Sequence, residues 1–78
     1  MKLTIEKIGE TLYQGEAYSV TCPGVAGDFT LLSHHAPLVS ALKDGVIMVR
    51  ESKESEPKYF ETKGGVVETA NNHASILL

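Results

Sequence analysis

Tyr18, Val20 and Cys22 alternate with Ser19 and Thr21. A repeat of two is the mark of a strand with one face buried. The same kind of short apolar run returns along the chain. Leu3, Ile5 and, after an irregularity at Lys7, Ile8 open an extended segment, and Gly9 and Gly15 bracket Leu12-Tyr13. Phe29–Leu32, Val46–Val49, Tyr59–Thr62, Val66-Val67 and Ala74–Leu78 read as further strands. Pro23-Gly24, Lys43-Asp44-Gly45, Gly64-Gly65 and Asn71-Asn72 separate them as turn signals. Val46–Val49 is either buried on both faces or packed on one and partnered on the other. Leu38, Val39, Leu42, Val46 and Val49 also fit a helical period, but Asp44-Gly45 falls inside it. Glycine costs about 1 kcal/mol in a helix interior, so strand, turn, strand is favoured. Arg50 to Lys58 mixes charges with Ser and Pro57 and reads as a solvated hairpin loop. The pattern predicts an all-β fold: a sandwich or flattened barrel of short, mostly antiparallel strands.

Composition narrows the function. A chain of 78 residues has room for one core, so residues 1–78 are expected to form one domain. No run approaches the roughly 20 apolar residues of a membrane span. Met1-Lys2-Leu3-Thr4 opens straight into alternation without an apolar leader region, so no secretory signal is expected. The single Cys22 has no internal disulfide partner. That fits a reducing compartment. Net charge is −3 with seven Lys and Arg, so no nucleic-acid partner is expected.

The candidate chemistry is thin. "LLSHHAPL" (residues 31–38) places two histidines side by side. Adjacent residues of an extended chain point to opposite faces, so His34 and His35 are poorly placed to share a metal. With His73 and Cys22 they show no zinc spacing. Cys22 lies in an alternating strand, where a buried, inert thiol is the common outcome. Gly24–Gly27 lacks the Lys-Ser/Thr of a phosphate loop. The expectation is no metal, no cofactor and no catalytic residue. An all-β carrier of the lipoyl type is the rival reading, but Ile47-Met48-Val49 has no lysine beside it, and Lys43 stands by a turn with Leu42 and Asp44 as neighbours.

Residues 15–50, with Gly27-Asp28-Phe29, His35-Ala36-Pro37-Leu38 and Lys43-Asp44-Gly45, resemble the N-terminal β-sandwich domain of the ε subunit of F-type ATP synthases. Gly64-Gly65-Val66-Val67-Glu68 and Ala74–Leu77 look like that family's later strands, so the resemblance spans nearly the whole chain. His34 departs from it, standing where the family usually has Gly, a residue that often supplies positive φ. Thr30, Asp28 and Asp44 depart at positions where Gly, Glu and Pro are common. Longer family members continue into two α-helices, whereas this sequence stops with the last strand.

The resemblance implies a non-catalytic rotor-stalk subunit, wedged between γ and the c-ring and helping to couple ion flow to ATP synthesis. It implies a peripheral place on the cytoplasmic face of a bacterial inner membrane, or the organelle equivalent. No direct membrane insertion and a monomer in isolation are expected. The loop of Ala26, Gly27 and Asp28 is assigned to the c-ring. Leu12, His35, Leu38, Val39 and Val46 are assigned to γ, as an exposed apolar patch; the alternative is that Leu12, Leu38, Val39 and Val46 are simply core. Without the helices the chain is expected neither to hold hydrolysis in check nor to bind ATP.

Overall fold

Each alternating run forms a strand. The computed structural model describes residues 1–78 as nine strands: β1 (Lys2–Lys7), β2 (Glu10–Glu16), β3 (Ser19–Gly24), β4 (Gly27–Leu32), β5 (Leu38–Leu42), β6 (Gly45–Arg50), β7 (Lys58–Thr62), β8 (Gly65–Ala70) and β9 (His73–Leu77). The ambiguous segment resolves as β5, a turn at Lys43-Asp44, and β6. In β6, Ile47 and Val49 are fully buried while Val46 is half exposed, so this strand packs on one face only. Pro23-Gly24 forms the end of β3 rather than the turn after it, which falls at Val25-Ala26. β3 runs through both residues, pairing Pro23 with Asp28 of β4. On its other side β3 changes partner here, from β6 at residues 19–21 to β5 at Gly24. A proline without an N–H is tolerated where no ladder donor is required.

The strands follow the order β2-β1-β9-β8-β5-β3-β6-β7, with β4 on the free side of β3. Every pairing is antiparallel except β1 with β9. The path folds back on itself at the single β3–β5 pairing, Gly24 with Leu42. That gives one layer of β2, β1, β9, β8 and β5, facing a second of β7, β6, β3 and β4. Leu3, Ile5, Val67, Ala74 and Ile76 of the first layer pack against Val20, Cys22, Leu31, Ile47 and Val49 of the second, all essentially inaccessible to water. Each of the larger apolar side chains contributes about 1.5–3 kcal/mol by leaving water.

The two side seams of this sandwich differ. At one, β2 and β7 meet through Tyr13 and Phe60, whose rings sit edge to face with centroids 6.2 Å apart. Lys58 Nζ caps the Tyr13 ring at 5.7 Å. The other seam is held at one end only. There Gly24 lies under the Phe29 ring, whose nearest carbon would stand 2.8 Å from a β-carbon on residue 24. Past that point β5 has no strand neighbour on the β3 side, and Ser33–Pro37 crosses between the layers.

Candidate docking surfaces

The open seam places the Ala26–Asp28 loop. Val25 and Ala26 turn the chain from β3 into β4, and Ala26, Gly27 and Asp28 are all exposed. The same loop forms one wall of a shallow groove of about 390 Å³, with Phe29 beside it. The other wall is His35, Leu38 and Ser40. Two of the residues expected to face γ therefore share a groove with the three expected to face the c-ring.

The crossing that carries His35 is pinned at its start. His34 adopts φ +62°, the left-handed conformation that a glycine would take without strain. Its N–H donates to Asn72 Oδ1 at 2.8 Å. Asn71 and Asn72 themselves have φ of 52° and 59°, the two positive values that a tight two-residue hairpin between β8 and β9 requires. Ser33 Oγ accepts from the Met1 ammonium at 3.2 Å, which also donates to Ala17 O at 3.1 Å. The His35 N–H then donates to Leu32 O at 3.2 Å, closing the turn. The His35 ring is held by its own neighbour: Nδ1–H donates to Ala36 O at 2.6 Å, which leaves Nε2 free. Leu38, half-buried, leans on the core.

The other residues assigned to γ do not join this groove. Leu12 is the extra residue at a β-bulge, where the β1–β2 register slips between Ile5 and Glu6, and it packs partly against the core. Val39 is 67% exposed on the outer face of the first layer. Val46 is 49% exposed on the outer face of the second. The five residues thus form no single patch.

The structure adds an apolar surface that sequence reasoning missed. Around Val39, the neighbouring row on the first layer's outer face runs Ala41, Val66, Leu77 through direct cross-strand pairs. Leu77 is half exposed and Val66 rather less so. The signal was the doublets Val66-Val67 and Ile76-Leu77. In a strand with one buried face, one member of each doublet has to face outward.

The reactive groups stay apart. Cys22 is fully buried, and that burial pushes its thiol up to about 12. His34 and His35 are exposed on the Ser33–Pro37 crossing, and His73 is exposed at the start of β9. No three side chains among His, Cys, Asp and Glu converge on one point. No helix is long and apolar enough to cross a membrane.

Comparison with known proteins gives these surfaces a context. The chain is similar to an ATP synthase epsilon chain of Cyanothece sp., 39% identical over 80 residues, covering 100% of this chain and 56% of that protein. It is 38% identical over 76 residues to the ATP synthase epsilon chain of Chlorobium limicola, covering 97% of this chain and 85% of that one. It is 31% identical over 77 residues to ATP synthase epsilon chain 2 of Burkholderia orbicola, covering 99% and 51%. Apart from the Chlorobium protein, the chain spans about half to three fifths of the length of these relatives. In fold it matches a chain of the Euglena gracilis mitochondrial ATP synthase, with TM-score 0.88 at 19% identity, covering 96% of this chain and 48% of that one. A chain of the Tetrahymena thermophila mitochondrial ATP synthase, solved as central stalk and c-ring, matches with TM-score 0.80 at 18% identity, covering 97% and 60%. The family model for the β-sandwich domain of the ATP synthase delta/epsilon chain matches residues 1–78, so this chain belongs to that family.

Proposed function

We propose that residues 1–78 act as one docking unit of the rotor stalk of an F-type ATP synthase. The unit is non-catalytic. It joins γ to the c-ring and helps to convert ion flow into γ rotation. Its place is peripheral, at the cytoplasmic face of a bacterial inner membrane or the organelle equivalent. The observation that carries this reading is the family match over the whole chain, seconded by relatives named as epsilon chains. A lipoyl-type carrier finds no comparable support.

In this reading the Ala26–Asp28 loop meets the c-ring. Leu12, His35, Leu38, Val39 and Val46 serve γ, with Val39 acting together with Val66 and Leu77. An exposed row of aliphatic side chains is the sort of surface that a partner covers. A loop carboxylate such as Asp28 works through charge-assisted hydrogen bonds, each worth roughly 1.5–3 kcal/mol.

The test is Asp28→Ala in the assembled enzyme. Losing a contact between stalk and ring should lower ATP-driven ion pumping more than ATP hydrolysis. Equal loss of both, or no loss of either, would refute a coupling role for this loop. Copurification checks the assignment more broadly, since a stalk subunit comes down with γ and the membrane sector.

A further inference from the structure

We infer that the Met1 α-amino nitrogen is a modification-sensitive clasp. Left free, it sets the Ser33–Pro37 crossing; an acyl group on it, such as the formyl group with which bacterial and organellar translation begins, releases that crossing. Met1 is only 6% exposed. Its ammonium is shared among three oxygens: Ala17 O at 3.1 Å, Ser33 Oγ at 3.2 Å and Glu16 Oε2 at 3.4 Å. The Ala17 N–H donates back to Met1 O at 2.8 Å, so Met1 and Ala17 pair as residues do across a ladder. An ammonium has a hydrogen for each of the three oxygens, whereas a peptide nitrogen in the same place would have one.

Formylation turns the ammonium into an uncharged amide with one hydrogen. That hydrogen can keep the ladder bond to Ala17 O. The contacts with Ser33 and Glu16 are lost, and the formyl carbon points where one of them was. The Glu16 side chain is 72% exposed, so its pair contributes little. Ser33 is the larger loss, because a hydrogen bond from a charged donor is roughly twice as strong as a neutral one. Ser33 is itself exposed, so water replaces the lost donor and the sandwich survives. What goes is the tie between β1 and a crossing 32 residues further along the chain. Asn72 Oδ1, which accepts the His34 N–H, is then the hydrogen-bonding anchor left at that end. Hydrolysis restores the clasp. Water adds to the formyl carbon, the C–N bond breaks, and the released formic acid passes its proton to the amine, leaving formate and the ammonium.

The experiment compares the full chain with three N-termini, made by joining synthetic residues 1–21 to residues 22–78 at Cys22. One is free, one is formylated, and one is des-amino, which lacks the nitrogen and adds no bulk. The formylated chain should melt at least about 5 °C below the free one, and the des-amino chain at least as far below it. Amide exchange at His34 should speed roughly tenfold in both blocked chains. Ser33→Ala, made with all three N-termini, separates the clasp from a general loss of stability. It should lower the melting temperature of the free chain and leave the blocked chains unchanged, because their Ser33 has no bond to Met1 left to lose. An equal fall in all three, or blocked chains that melt with the free one, would overturn the inference. Blocked chains that do not fold would overturn it too, since the ammonium would then hold the whole sandwich and not the crossing.

Discussion

Raising the pH should destabilise this domain through one buried thiol. Cys22 is fully buried between the layers, and desolvation raises its thiol from 9.0 to about 12. The unfolded chain gives up this proton near the lower value, the folded chain near the higher. Between them the native state binds more protons, so stability falls as pH rises. The thiol's contribution is complete below about pH 9 and is lost toward pH 12, at about 1.4 kcal/mol per pH unit. The whole window is then worth on the order of 4 kcal/mol, a large share of the 5–15 kcal/mol typical of a domain. Tyr13 is raised as well, mainly by burial and then by the Glu51 charge, and its titration adds to the loss at the alkaline end. Urea unfolding of wild type and Cys22→Ala, followed from about pH 8 to about pH 10.5, isolates the thiol. At about pH 8 the variant is less stable because a small cavity replaces the sulfur, but it should lack the thiol's slope. The gap between the two proteins should close by about 1.4 kcal/mol per unit above pH 9. Parallel curves through pH 10.5 would show that the thiol is not desolvated, and the packing argument around β3 would fail.

Two further outcomes follow from the surfaces. Val39→Asp and Val46→Asp each place a carboxylate directly opposite another, Glu68 and Glu61 respectively. Like charges across strands cost the isolated domain up to about 1 kcal/mol. If these valines dock on γ, an unpaired charge buried in the contact costs several kcal/mol, and assembly should drop while the fold survives. Val39→Asp should have the larger effect, because Val66 and Leu77 extend its apolar surroundings. Copurification with γ measures this: outright unfolding would mark the position as core, and unchanged assembly would remove it from the contact. His34→Gly should raise the melting temperature. It relieves a left-handed residue worth roughly 1–2 kcal/mol and keeps the backbone bond to Asn72, against about 0.4–1 kcal/mol of added unfolded-state entropy. A lower melting temperature in the variant would mean that His34 does not hold a strained φ.

The legible part of this fold was what period two and turn chemistry encode. Strands β3, β6 and β9 announced themselves by alternation or by their turns, and Asn71-Asn72 marked the hairpin that β8 and β9 share. Pro23 was misleading because local propensity treats proline as a stop. Only the tertiary pairing, with β6 leaving and β5 arriving at that point, makes it harmless inside β3.

Which residues share a surface was harder to read, because a surface depends on how the sheet folds over. Val39 and Val46 are seven positions apart and both face outward, yet they sit on opposite layers because the path bends back between β5 and β3. His35 and Asp28 are likewise seven apart, and the open seam brings them to the two walls of one groove. Nothing in the spacing separates these two cases; the difference is that one pair straddles a fold of the sheet and the other closes around its unpaired edge. His34 shows what local chemistry adds. His34 holds a left-handed backbone that glycine would adopt without strain, and Asn72 accepts its N–H while Ser33 is tied to the Met1 ammonium. The backbone of the crossing is therefore anchored at Met1 and at the β8–β9 turn, and the His35 side chain stays exposed.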